Sequence, residues 1–252
     1  MIRITGDPHG DISRFYELYY NHGEGHWTKD DILIFCGDWG FLFLNNKSEN
    51  SFLDDLSSRP YTICFVDGNH ENFDAINAYP TIEWNGGKAH QIRKNIFHLM
   101  RGQVFTIEGK TFFTMGGAEC HDIYTPVQDP ADPHFRENCR ELYERGAFFR
   151  IKGKSWWPEE LPDDGEYAEG WKNLRAHGMQ VDYILTHCAP REVQRLLIPR
   201  LCHGLYPENA LTEILQQISE QVTFREWFFG HYHGELTTGK YRLLYEELYP
   251  LD

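Results

Sequence analysis

Asp7-Pro8-His9 sets two side chains able to ligate a cation at i and i+2, close enough to converge from one tight loop. Alone, such a pair is no more than a polar turn. Gly37-Asp38 follows a second apolar run and Gly68-Asn69-His70-Glu71 a third, so Asp, His, Asp, Asn and His collect on successive strand ends. Far downstream His187 follows residues 181–186, and Gly230-His231-Tyr232-His233 follows residues 226–229. The glycine is expected to let the backbone turn sharply, so that both histidines face one opening. Five loops thus offer carboxylate, carboxamide and imidazole donors, a set that suits manganese, iron, zinc or cobalt better than calcium.

The elements that must position these donors are short. Residues 2–5, 32–36, 61–66, 111–115, 181–186 and 226–229 read as strands. Helical spacing over 13–20 and 51–56 joins the first three into a β-α-β-α-β unit with a mainly parallel sheet. After Phe73, residues 96–100, 103–107 and 111–115, with the turn Glu108-Gly109-Lys110, predict an antiparallel meander and a second sheet. Residues 119–180 are rich in charge, proline and aromatics, with helices expected over 134–145 and 166–177. They read as a cap inserted into a single domain spanning 1–252.

A chain of 252 residues with 41% hydrophobic content can bury a substantial core. With 38 acidic against 24 basic residues and a net charge of -14, its surface repels polyphosphate backbones, which argues against nucleic acid as a partner. The six cysteines are scattered without a C-x-x-C pair, so reduced thiols and a cytoplasmic location are expected. The start of the chain carries no secretion-signal pattern, and no stretch reaches the roughly 20 apolar residues of a membrane span.

The ordered set D-x-H, G-D, G-N-H-E, T-H-x-x-P and G-H-x-H, from Asp7 to His233, resembles the calcineurin-like metallophosphoesterase superfamily. The resemblance implies an α/β protein built as a four-layer α/β/β/α sandwich, two mixed sheets flanked by helices. It implies two divalent metal ions, manganese first, with iron, zinc or cobalt as alternatives. Asp7, His9 and His233 would hold one, Asn69, His187 and His231 the other, and Asp38 would bridge both. Cations about 3.5–4 Å apart share and activate a water for in-line attack on phosphorus. The implied activity is hydrolysis of phosphate mono- or diesters by a metal-bridging hydroxide, on a small-molecule phosphoester, with no membrane partner. His70, free of the metals, would give a proton to the leaving oxygen or stabilise the transition-state charge.

Relatives of this kind often read G-D-x-x-D, their second Asp orienting the catalytic histidine, where this chain has Phe41. Glu71 could support an imidazole instead, or cap the helix beginning near Asn72. The missing Asp-Arg-Gly after Asp38 makes Ser/Thr protein phosphatase activity the alternative, and Phe41 raises a catalytically weak metal-binding scaffold as another. Trp156-Trp157 could anchor the insertion or contact substrate. Gly116-Gly117 reads as a turn into the cap with Asp122 close behind, and Arg150 and Lys152 as surface charges. The remaining histidines, among them His90, His98 and His203, take surface or packing roles, with His121 the one to check against the site.

Overall fold

Strands β1 (Ile2–Thr5), β2 (Ile32–Phe35) and β3 (Thr62–Phe65) are nearly continuous apolar runs because both of their faces are covered. Their side chains alternate between two cores. Ile4, Ile34 and Cys64 enter one, Leu33, Phe35, Ile63 and Phe65 the other. Helices α1 (Ser13–Asn21) and α2 (Lys47–Ser58) close the second core with Phe15, Leu18, Leu53 and Leu56. Asn46 caps α2 by accepting from Glu49 N at 2.9 Å. These coordinates are a computed structural model, which describes residues 1–251 apart from 122, 124 and 202–205.

The chain continues through α3 (Phe73–Asn77), β4 (Thr81–Trp84), β5 (Gly87–Arg93), β6 (Ile96–Leu99), β7 (Gln103–Ile107), β8 (Lys110–Met115), α4 (Phe135–Glu144) and α5 (Asp164–Ala176). It ends with β9 (Tyr183–Thr186), α6 (Arg191–Leu201), α7 (Ala210–Gln221), β10 (Glu226–Phe229), β11 (Leu236–Thr238), β12 (Tyr241–Leu243) and β13 (Tyr249–Leu251). Among the described residues one sheet runs β13-β1-β2-β3-β6-β5-β4 and the other β11-β12-β10-β9-β8-β7. Ile4, Phe97 and Leu99 of the first meet Phe112, Leu185 and Phe228 of the second. The second sheet's far face, with Ile184, Trp227 and Phe229, is covered by Leu197 of α6 and by Leu211 and Leu215 of α7. The layers are therefore α/β/β/α, with two mixed sheets.

Within each sheet the strands that precede the polar loops are parallel, β1 to β2 to β3 and β8 to β9 to β10, so those loops emerge at one edge. The hairpin β7–β8 turns through Glu108 and Gly109, both at positive φ as a two-residue hairpin demands. The expected meander is otherwise divided. β6 pairs parallel with β3 in the first sheet, and β7 starts the second after Gly102 at φ +70°. All four residues of β6 are buried, so its local pattern carried no sign of which sheet it joins. Within 119–180, α4 has no buried residue, whereas α5 lays Leu174 into the outer core.

Arg101, 6% exposed, ties this region to the end of β3. Its guanidinium donates to Asp67 at 2.8 and 2.5 Å, to Glu166 at 3.0 Å and to the Glu159 carbonyl at 2.6 Å. His98 sits 3.0 Å from the same Asp67 carboxylate, with His90 stacked behind it. Burial pushes the Asp67 pKa up, but Arg101 and His98 outweigh it and hold the carboxyl below its usual range. With a folded pKa depressed in this way, the pair's stabilisation is present at neutral pH and is lost only as acid protonates Asp67. Arg101→Met leaves that carboxylate buried and unpaired and should cost about 3–5 kcal/mol, measured as a fall in denaturation midpoint. A loss under about 1 kcal/mol, typical of an exposed pair, would show that the cluster is hydrated.

Candidate metal centre

The polar loops converge where the two sheets meet. Asp7, His9, Asp38 and His233 each offer one ligating atom within 4.8 Å of the others. His9 Nε2 and His233 Nε2 are 2.9 Å apart, and Asp7 Oδ2 lies 3.7 Å from the latter. On the inner side, His187 is wholly buried, its Nε2 is 3.3 Å from Asp38 Oδ2, and its ring centroid is 4.9 Å from that of His231. Asn69 is 3% exposed and follows Gly68, where an added Cβ would abut Asp38. His70 is half-buried at the rim, its ring 5.4 Å from that of His9 and its backbone N–H donating to Asp38 Oδ1 at 2.8 Å.

Backbone hydrogen bonds lace the loops together. His9 N donates to Asp38 O at 2.8 Å, His231 N to Asp7 Oδ2 at 2.7 Å, and Gly230 N to His187 O at 3.0 Å. His187 Nδ1 donates to Cys36 O at 2.8 Å, since a carbonyl can only accept, and this points Nε2 toward Asp38. His9, Asp38, His231 and His233 all adopt positive φ, an uncommon conformation for non-glycine residues that is tolerated where surrounding structure enforces it. The sharp turn expected at Gly230 is thus made by the histidines themselves. Gly230 instead allows close approach, because a Cβ there would fall on Asp7 Oδ1, and one at Gly68 on Asp38 Oδ1.

The charges are unequally held. Burial pushes the Asp7 carboxyl up to about 8, against the pull of His187. Burial alone would raise Asp38 too, but the His187 and His70 imidazoles beside it hold it well below the usual carboxylate range. Burial would lower His187, yet Asp38 and Asp7 together lift it to about 10. Desolvation lowers His9 to about 4 and also depresses His231 and His233, leaving neutral imidazoles with lone pairs to offer.

The residues fit a cation. Among the described residues, Asp7 Oδ1, both amide atoms of Asn69 and His187 Nε2 are buried without a hydrogen-bond partner. Such orphans are costly unless something binds them, and three of the four, Asp7 Oδ1, Asn69 Oδ1 and His187 Nε2, are the oxygen and imidazole donors that suit a borderline metal. Size does not mark this chemistry. A cavity of about 1070 Å³ lies between α1 and α2, lined by Tyr16, Tyr19 and Phe52, with no candidate ligand in its wall.

Phe41 is 2% exposed in an aromatic cluster with Phe15, Trp39 and Phe52, turned into the core. Glu71 is neither solvated nor the cap of α3, a role Asn72 fills by accepting from Ala75 N at 3.0 Å. Its buried carboxylate accepts from Trp39 N at 2.7 Å and, at 3.4 Å, from Gly40 N and Gly68 N, binding the β2 and β3 loops together. Trp157 is 3% exposed and donates to Asp74 at 2.8 Å, an anchor, while Trp156 lines a cavity of about 360 Å³ with Ile123 and Pro158. Gly116 abuts Asp67, Lys152 pairs with Asp129 at 3.0 Å, and Arg150 lies over the Phe148 ring. Asp122, Cys202 and His203 lie outside the described residues, and Cys36, Cys64, Cys139 and Cys188 are free thiols. Three rings pack against these histidines: His121 and Tyr206 against His231, and Tyr245 against His233. His121 had its neighbour Asp122 as a hint, whereas the two tyrosines gave none.

Residues 1–235 match the family described as Calcineurin-like phosphoesterase. Among solved structures the chain is similar to a phosphopantetheinyl hydrolase from Mycobacterium tuberculosis, at 16% identity and a TM-score of 0.39 over 97% of this chain and 87% of that one. No curated protein matches it.

A methyl group at Gly68 would intrude on the Asp38 carboxylate. Gly68→Ala should therefore weaken Mn²⁺ binding at least about tenfold, about 1.4 kcal/mol, in calorimetric titration of protein whose circular dichroism is preserved. Unchanged affinity would mean that Asp38 is not braced by this glycine.

Proposed function

The chain belongs to the calcineurin-like phosphoesterase family, and from that membership we propose that it hydrolyses phosphate mono- or diesters at this centre with two divalent cations. What carries the reading is the set of buried ligand atoms without partners, Asp7 Oδ1, Asn69 and His187 Nε2, in a pocket of mixed carboxylate and imidazole. Asp7, His9 and His233 would hold one ion, Asn69, His187 and His231 the other, with Asp38 between them. Bound there, the ions act as Lewis acids on phosphoryl oxygen and lower the pKa of water toward neutrality. Manganese, iron, zinc or cobalt suits this donor set.

The chain's own residues supply position and protons. Asp38 stays ionised, and its Oδ1 fixes the His70 backbone, which sets that imidazole at the open rim. A ring nitrogen of His70 gives its proton to the departing alkoxide or phenoxide. No acidic side chain at position 41 steers it, so its aim comes from the Asp38 contact and from Glu71 holding the two loops. The segment 119–180 is read as a cap that borders the site and limits the substrate to a small phosphoester. With a net charge of -14 outside the site, a nucleic-acid substrate is not favoured. No described helix is long and apolar enough to cross a membrane.

Turnover of p-nitrophenyl phosphate and bis-p-nitrophenyl phosphate with added Mn²⁺ tests the proposal. His70→Ala should lower kcat by about 10²–10⁴, and Asp38→Asn should abolish both turnover and stoichiometric metal binding. Wild-type protein that carries two metal equivalents yet cleaves neither ester would sink the hydrolase reading.

A further inference from the structure

We propose that the cavity beside His231 is the binding site for the organic part of the substrate, and that it takes an uncharged, ring-bearing group. The inference rests on the phosphoesterase reading above and names its substrate class. The cavity measures about 340 Å³ and is lined by His121, Ile123, Ile198, Tyr206 and Pro207, with Glu119 and Cys120 at its edge. That volume lies at the small end of ligand pockets, about 300–1,000 Å³, enough for one or two fused rings.

Its wall is shared with the metal centre. The His121 ring stacks on Tyr206 with centroids 4.2 Å apart, and both rings stand edge-on to His231, at 5.2 and 5.1 Å. A phosphoryl group at the metals would therefore direct its ester substituent toward a surface made of two aromatic rings and two isoleucine side chains. Flat rings stack on such a surface, with gains beyond those of area alone. The chemistry of the wall also excludes ligands. Among the described residues no lysine or arginine lines the cavity, and the carboxylate that does, Glu119, accepts from Asn209 Nδ2 at 3.0 Å. A second phosphate or a carboxylate on the substrate would meet that carboxylate with no counter-charge. Nucleoside di- and triphosphates and sugar bisphosphates are thus disfavoured, and phosphoesters of an uncharged, ring-bearing alcohol are favoured.

Phosphonates separate this inference from the activity beneath it, because they bind without being cleaved. Mn²⁺-loaded wild-type protein is titrated calorimetrically with benzylphosphonate and ethylphosphonate, which share a head group and differ in the ring. Benzylphosphonate should bind at least about tenfold tighter. Ile198→Trp and Ile123→Trp each fill the cavity from a different wall and should reduce that ratio to about threefold or less. Equal affinities in wild type, or a ratio unchanged in both variants that fold, overturn the proposal. Benzyl and ethyl phosphate hydrolysis is followed in parallel. A ring preference in binding with no turnover of either ester supports the cavity and removes the hydrolase reading, whereas turnover without ring preference removes the cavity assignment alone.

Discussion

Two carboxylates, Asp7 and Asp38, are buried together where the two sheets meet, and everything around them follows from the need to neutralise that pair. Like charges in a dry site cannot both remain bare. The protein divides the problem: burial pushes the Asp7 pKa up, Asp38 is held well below the usual carboxylate range, and His187, whose pKa both carboxylates raise, lies 3.3 Å from Asp38 and 3.7 Å from Asp7. The imidazoles of His9, His231 and His233 have pKa values lowered by burial, which leaves them neutral with lone pairs to offer.

Holding such a cluster requires that the strand ends be fixed more firmly than loops usually are. The links run from β1 to β2 through His9 and Asp38, from β1 to β10 through Asp7 and His231, and from β2 to β9 through Cys36 and His187. Several of them join the first sheet to the second, so the site is also a seam of the fold. Left-handed conformations at His9, Asp38, His231 and His233 cost on the order of 1–3 kcal/mol each. That strain persists because these hydrogen bonds and the packed sheets behind them over-determine the backbone.

The row of polar residues that gathers at this centre was legible because polar groups following apolar runs are a local signal, repeated at five strand ends. The parallel β-α-β-α-β start and the Glu108-Gly109 hairpin were legible for the same reason, since turn chemistry and periodicity are written within a few residues. Pairing is not local. β6, buried on both faces, gave no mark of joining β3 rather than β7, and β4, β5 and the short β11 to β13 lacked a pattern strong enough to stand out. Ring contacts were hidden as well. Tyr206 reaches His231 from the approach to α7 and Tyr245 reaches His233 from beyond β12, through packing that no spacing rule encodes.

Phe41 shows how one departure in sequence redistributes a physical task. A carboxylate at that position would be buried among Phe15, Trp39 and Phe52 with no counter-charge, at a desolvation cost that an aromatic side chain avoids. The loop carrying Asp38 is instead held from the other side by Glu71, whose carboxyl, raised by burial and by Asp38 to about 8, accepts the Trp39 N–H. Glu71 sits one residue beyond His70, and Asp38 Oδ1 accepts the His70 N–H, so the two loops form a closed ring of contacts. In that ring the Asp38 carboxylate and His70 cannot shift independently. The geometry between them is set by backbone and buried carboxyls, and among the described residues no side chain hydrogen-bonds the His70 imidazole.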